Sequence, residues 1–174
     1  RLTPMLAGQR AVIVGVGSIG REIAALLKAV GVRVTGVGRR ARTGDPVFER
    51  IHAQSDILSA VSEVDWVIGV LPATPLTENF FTQAVFAAMA PTARFVNVGR
   101  GNALDEPSLL RALENGDIAG AMLDVFREEP LPASDPLWQA PNLVISPHMS
   151  GDYTDFHQDL VQQFVDNLAN YRKG

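Results

Sequence analysis

A strand, a glycine-rich turn and a helix run together near the amino end of this chain, and that junction narrows the fold more than any other feature. Arg10–Gly15 reads as a short apolar strand, Gly15-Val16-Gly17-Ser18-Ile19-Gly20 as the turn, and Ile19–Val30 as an amphipathic helix. Gly15 allows a tight turn, Gly17 lets backbone approach a pyrophosphate, and Gly20 lets helix and strand pack closely. The unpaired N–H groups at the helix start, around Ser18 and Ile19, suit anionic phosphates. A strand-turn-helix of this kind predicts a dinucleotide-binding unit; the plainer alternative is an ordinary glycine-rich turn.

The rest of the pattern agrees with that unit. Short β-rich runs at Val32–Val37, Asp65–Leu71, Arg94–Val98, Ala119–Leu123 and Leu143–Ile145 alternate with helical stretches. The helices are expected at Gln83–Ala88 and Glu106–Glu114, with another near Asp56–Ser62. Alternation of this kind predicts an α/β fold, a doubly wound parallel sheet of the Rossmann type covered on both faces. Asp105-Glu106-Pro107 supplies a possible N-cap and a first-turn proline, and Asn115-Gly116 a natural stop. Asp124–Pro141 reads mostly as loop. The tail from about Tyr153 to Tyr171 has apolar residues at helical spacing. No linker or repeat divides the 174 residues, so residues 1–174 are expected to form one domain.

Composition removes several functions. The chain has no cysteine, which excludes disulfides, thiolate metal sites and cysteine nucleophiles; no metal site is expected. Its net charge of -4 disfavours nucleic acid as a partner. No apolar run is long enough for a membrane span, and Arg1–Pro4 does not look like a signal peptide, so a cytoplasmic location is expected.

Cofactor choice is read at the end of the second strand. Sites for NAD(H) place an Asp or Glu there to accept from the ribose hydroxyls. This chain reads Gly38-Arg39-Arg40, followed by Arg42. With no carboxylate to repel a 2'-phosphate and guanidinium groups to hold one, NADP(H) is preferred and NAD(H) remains possible. Arg39 is the first choice for that contact, Arg40 the second; a merely solvated charge run is the alternative.

Five motifs, in order, carry a resemblance: VGVGSIGRE at 14–22, LPATPLT at 71–77, VNVGRG at 96–101, LDVFREEPLP at 123–132 and SPHMSG at 146–151. With them the chain resembles the nucleotide-binding domain of the D-isomer-specific 2-hydroxyacid dehydrogenases, a family that includes glyoxylate/hydroxypyruvate reductases. The resemblance implies a catalytic trio. Arg100 would bind the carboxylate of a small 2-oxo acid, His148 would act as general acid/base, and Glu129 would pair with the histidine. The chemistry suits each role: a guanidinium matches a carboxylate with two parallel bonds, and imidazole titrates near the working pH. The adjacent Glu128 could pair equally well on chemistry alone. Formate dehydrogenases, which resemble the family, use glutamine in Glu129's role.

The same resemblance places Pro72, Thr74 and Thr77 on the adenosine and phosphate side. It adds Val98, Gly99 and Gly151 to the cofactor's surroundings, and Asp124 as the partner of the nicotinamide carboxamide. His52 and His157 match no motif and are expected to be structural or exposed. The implied reaction is reversible reduction of a 2-oxo acid to a D-2-hydroxy acid, in a full-length enzyme that forms homodimers. A second domain, which in the family closes over the substrate, is expected to be missing from this chain. Two rivals remain open: a dinucleotide-sensing protein like the corepressors that resemble these enzymes, and a purely structural Rossmann module.

Overall fold

The computed structural model describes residues 5–173. Arg1–Pro4, expected not to form a signal peptide, and Gly174 lie outside the described residues. The sheet is built from β1 (Arg10–Val14), β2 (Arg33–Gly38), β3 (Ile51–Ala53), β4 (Trp66–Gly69), β5 (Arg94–Asn97), β6 (Gly120–Leu123) and β7 (Leu143–Ile145). The helices are α1 (Ser18–Ala29), α2 (Ile57–Val61), α3 (Gln83–Ala88), α4 (Glu106–Asn115) and α5 (Phe156–Lys173). All seven strands run parallel in the order β3-β2-β1-β4-β5-β6-β7. This is a doubly wound arrangement whose order reverses between β1 and β4.

Strand alternation builds two cores. Val12 and Val14 of β1 enter one with Phe95 and Leu123, while Ala11 and Ile13 enter the other with Ala24 of α1 and Ile68. In the first core, Phe95 meets Phe81 and Phe86 edge-on, with ring centres 4.8 and 5.3 Å away. Burying each such ring stabilises the fold by roughly 2–3 kcal/mol. Helices α2, α3 and α4 lie against one another over this core.

The predicted elements match the observed ones within two residues, except the tail helix, which starts three residues later than expected, and Gln83–Ala88 and Leu143–Ile145 have the expected bounds. Strand β3 was not foreseen. Ile51-His52-Ala53 is too short to show alternation, and it becomes a strand only by pairing with β2 at the edge. The Asp105 cap takes a different form. Its carboxylate accepts the Ser108 hydroxyl at 2.6 Å rather than a helix N–H. Gly116 does end α4 in the left-handed conformation, with φ +73°.

Coverage of the two faces is unequal. Over β6 and β7 the second face shows Met122 and Val144 exposed, and helix α5 is exposed along its described length. Its apolar stripe, including Leu160, Phe164 and Leu168, is left exposed among the described residues. The expected helical tail is present; periodicity correctly gave the helix but not what it faces.

Candidate functional site

Where the strand order reverses, a cleft of about 450 Å³ opens at the carboxyl ends of β1, β4 and β5. Gly15, Gly17, Ser18, Ile19 and Gly20 form one wall. Val70 to Ala73 form another, including Pro72, and Val98, Gly99 and Arg100 close the third side. Gly15 has φ +115°, and a Cβ there would lie 2.6 Å from the Val70 carbonyl oxygen. A Cβ on Gly20 would lie 2.0 Å from the Gly15 carbonyl oxygen, so helix and strand touch through that missing atom. At Gly17 a Cβ would meet nothing within 4 Å. Gly17 therefore leaves open space at the start of α1, where the first N–H groups have no intrahelical partner. This shape and this set of donors fit the pyrophosphate of a dinucleotide.

Strand β2 ends at Gly38, so Arg39 is the first residue beyond it, and no carboxylate stands at that point. Arg39 and Arg40 are exposed and enter none of the ion pairs among the described residues. Arg42 differs. It exchanges two backbone hydrogen bonds with Ile51, and its Nη2 lies 3.5 Å from Asp45. In the proline-threonine loop, Thr77 is buried and donates from its hydroxyl to the Pro72 carbonyl at 2.6 Å. The Thr74 N–H donates in turn to the Thr77 hydroxyl at 3.0 Å. Thr77 thus shapes the loop that presents Pro72, and does not itself line the cleft.

The trio meets at the same end of the sheet. The loop after β6 carries Glu129 and the loop after β7 carries His148, whose Nδ1 lies 2.7 Å from Glu129 Oε2. Glu129 Oε1 accepts the Phe126 N–H at 2.8 Å. Desolvation pushes the Glu129 carboxyl up. The His148 hydrogen bond, the Phe126 N–H and the positive charges of His148 and Arg100 outweigh it, leaving the group below its ordinary value. An ionised carboxylate only accepts, so it fixes the imidazole with Nδ1 as donor and leaves Nε2 for other chemistry. Glu128 is exposed and takes no part. Tertiary structure makes the choice that the residue types left open.

Three residues that sequence reasoning did not assign a positioning role support this corner. Asn97, fully buried, donates to the Arg100 carbonyl at 3.2 Å and accepts the Gly99 N–H at 3.1 Å, which holds the Arg100 turn. Its signal was an amide inside the apolar strand RFVNV. Asp124, expected beside the nicotinamide, is also fully buried and holds the histidine loop. It accepts from the Ser146 hydroxyl at 2.5 Å and from the Met149 and Ser150 N–H groups at 3.0 Å each. Burial opposes its ionisation, yet those donors keep its carboxyl down at about 2. His148 has φ +53°, a conformation that costs a non-glycine residue about 1 kcal/mol or more, and these bonds hold it there.

Arg127 is the third. It donates to Glu78, Asn79 and the carbonyls of Asn102 and Leu104, so one guanidinium ties the loops after β4, β5 and β6 together. Its position inside a motif gave no hint of this. Gly151 is exposed beyond the histidine turn. His52 sits on the edge strand β3, where desolvation and then Arg50 push its imidazole down against a smaller opposing effect of Asp56. His157 lies on exposed α5. Neither belongs to the cleft.

Residues 1–150 match the model of the D-isomer specific 2-hydroxyacid dehydrogenase, NAD binding domain. A glyoxylate/hydroxypyruvate reductase B of Klebsiella pneumoniae is 37% identical over 164 residues, 93% of this chain and 50% of that protein. A crystal structure of a D-isomer specific 2-hydroxyacid dehydrogenase family protein from Aeromonas salmonicida aligns with a TM-score of 0.89 and 40% identity. That alignment covers 100% of this chain and 55% of the other. An NADPH-dependent glyoxylate/hydroxypyruvate reductase from Sinorhizobium meliloti, in complex with NADP and sulfate, aligns at 0.88 with 29% identity, covering 100% and 55%. The chain spans about half the length of the curated relatives it matches. No described helix is long and apolar enough to cross a membrane.

Proposed function

Because the chain belongs to the D-isomer specific 2-hydroxyacid dehydrogenase family through its NAD binding domain, we propose that it is the cofactor-binding part of an NADPH-dependent reductase of small 2-oxo acids. The observation that carries this is the His148–Glu129 pair, 2.7 Å apart, with the positive charge of Arg100 acting on the same carboxylate. A sensing protein needs the cleft but has no use for a proton donor coupled to a carboxylate. The S. meliloti and K. pneumoniae relatives, by their names glyoxylate/hydroxypyruvate reductases, support the substrate class.

The residues divide the work. The glycine turn and the start of α1 seat the pyrophosphate, and Pro72, Val98 and Gly99 shape the cleft around the rest of the cofactor. A bound dihydronicotinamide supplies the hydride. Arg100 takes the substrate carboxylate in a two-point contact and draws electron density toward the carbonyl oxygen. His148 gives a proton from Nε2 to that oxygen as carbon is reduced, and Glu129 stabilises the imidazolium and fixes its ring. Asp124 keeps the His148 turn in place. In this reading a second domain closes the substrate pocket and excludes water, and the full-length protein is a homodimer.

Arg39 and Arg40 support the preference for NADPH, since guanidinium groups stand where an NAD(H) site carries a carboxylate. Parallel titration of this chain with NADPH and NADH tests the binding half. Tighter NADPH binding, lost in Arg39→Ala/Arg40→Ala, is the expected result; equal binding would make the arginines incidental, and no binding would remove the reading. For the chemical half, His148→Ala in the full-length protein should lower 2-oxo acid turnover and leave cofactor affinity unchanged. Equal turnover in variant and parent would remove the histidine mechanism, and no turnover in the parent would leave a sensor as the better reading.

A further inference from the structure

The loop that follows Arg39 and Arg40 is tied to α1 at two points, the Asp45 carboxylate on Arg21 and the Val47 carbonyl, which accepts from Lys28 Nζ at 2.9 Å. Asp45 has a side chain only 4% exposed. Its Oδ1 accepts from Arg21 Nη1 at 3.0 Å and from the Val47 and Phe48 N–H groups at 3.0 and 3.3 Å. Its Oδ2 accepts from Arg21 Nη2 at 2.6 Å and lies 3.5 Å from Arg42 Nη2. The Arg21 pairing is fork to fork, the geometry in which guanidinium and carboxylate bind most strongly. Arg21, Val47 and Phe48 together hold the Asp45 carboxyl well below the usual carboxylate range against desolvation.

Arg21 follows Gly20 on the helix whose first turn borders the cleft. Its guanidinium also lies 5.7 Å from the centre of the buried Phe48 ring. Arg42 is pinned to Ile51 by two backbone hydrogen bonds of 3.0 Å. The stretch from Arg42 to Phe48 is therefore held to both β3 and α1, and it leads straight back to Arg39 and Arg40 at the end of β2.

We propose that Asp45, acting through Arg21, is a positioning residue for cofactor choice. It sets the distance between the pyrophosphate seat on α1 and the two exposed guanidinium groups that take the 2'-phosphate. The inference rests on the NADPH reading above. A 2'-phosphate and a pyrophosphate belong to one covalent molecule, so both can be satisfied only when loop and helix hold a matching separation. Preorganising two long, exposed side chains removes an ordering cost that binding would otherwise meet. NADH demands less of the loop, because it presents only ribose hydroxyls there and has no 2'-phosphate to place.

The test is titration of the 174-residue chain with NADPH and NADH, for the parent, Asp45→Asn, Arg21→Lys, Arg39→Ala/Arg40→Ala, and Asp45→Asn combined with that pair. Asp45→Asn should weaken NADPH by about tenfold and NADH by no more than about twofold. Arg21→Lys, which keeps the charge and loses the fork, should shift the ratio in the same direction by less. In the Arg39→Ala/Arg40→Ala background, Asp45→Asn should change nothing further, since it acts through those arginines. Equal weakening of both cofactors, or an unchanged ratio, would reduce Asp45 to a fold-stabilising residue and overturn the inference alone. A parent with no preference for NADPH would overturn the arginine reading itself, and the positioning role with it. Should Asp45→Asn fail to fold, Arg21→Lys decides the same question, and faster tryptic cleavage at Arg39 and Arg40 in that variant is the independent sign of a released loop.

Discussion

The glycine cradle and the histidine corner lie at the same end of one sheet and are built by opposite means. The cradle is shaped by close approach of backbone: missing Cβ atoms at Gly15 and Gly20 let β1, α1 and the segment after β4 come together. The histidine corner is shaped by hydrogen bonds between loops. Asp124, Glu129, Asn97 and Arg127 are the atoms that hold it, and His148 sits in a backbone conformation that it would not adopt unaided. Steric fit tolerates almost no change but needs no particular charge. A hydrogen-bonded corner tolerates volume changes better, and depends on charge and pH.

Gly20→Ala attacks the cradle and should show the largest effect. Its methyl group would stand 2.0 Å from the Gly15 carbonyl oxygen. The strain should lower stability by about 3 kcal/mol and remove binding of both cofactors, as read by denaturant unfolding and nicotinamide fluorescence. A variant that binds normally would mean the cradle is softer than its packing indicates.

His148→Ala should separate the two regions. Turnover in the full-length protein is expected to fall about a hundredfold or more, with cofactor affinity unchanged. Loss of both together would join what the structure keeps apart. Next in size, Asn97→Ala leaves the buried Gly99 N–H without its acceptor and leaves the Arg100 carbonyl with the Ala103 N–H alone, at a cost of about 2 kcal/mol in unfolding free energy. It should also raise the apparent KM for 2-oxo acid, because the Arg100 turn is loosened.

Acid should loosen the histidine corner before the cradle. The Asp124 carboxyl is held at about 2, below its ordinary 3.8, so its contribution is present above 3.8 and fades as pH falls through about 2. Glu129, also lowered, contributes in the same sense, losing its effect below its ordinary 4.5. Unfolding midpoints followed down this range should drop for the parent and drop less for Asp124→Asn, which starts lower. A flat profile would mean the histidine loop is held by something else. The smallest expected effect is Glu128→Gln, within about 0.5 kcal/mol in stability and with the same turnover, because this exposed side chain takes no part in the trio.

Much of this was legible from residue order. The glycine turn, the short apolar run of β1, the start and stop signals of α4 and the helical spacing of the tail are local properties, set by sterics and periodicity within a dozen residues or so. The end of β2 at Gly38 could be read too, and with it the missing carboxylate. Other features were not legible because they depend on partners far apart in the chain. Strand β3 exists only beside β2, and the bare second face of β6 and β7 shows only once the helices have been placed.

The sequence by itself determined the parallel α/β sheet, the cleft-forming turn and the set of groups able to do acid/base and carboxylate chemistry. Tertiary structure alone decided that Asp124 holds the histidine loop and that Asp45 ties the arginine loop to α1, and it put Glu129, which the motif resemblance had named and residue chemistry had left level with Glu128, against His148. The physical reason is the range of the forces. Backbone sterics and hydrophobic periodicity act between near neighbours in the chain. A hydrogen bond or ion pair needs two side chains within about 3 Å, and only the packed sheet brings those together.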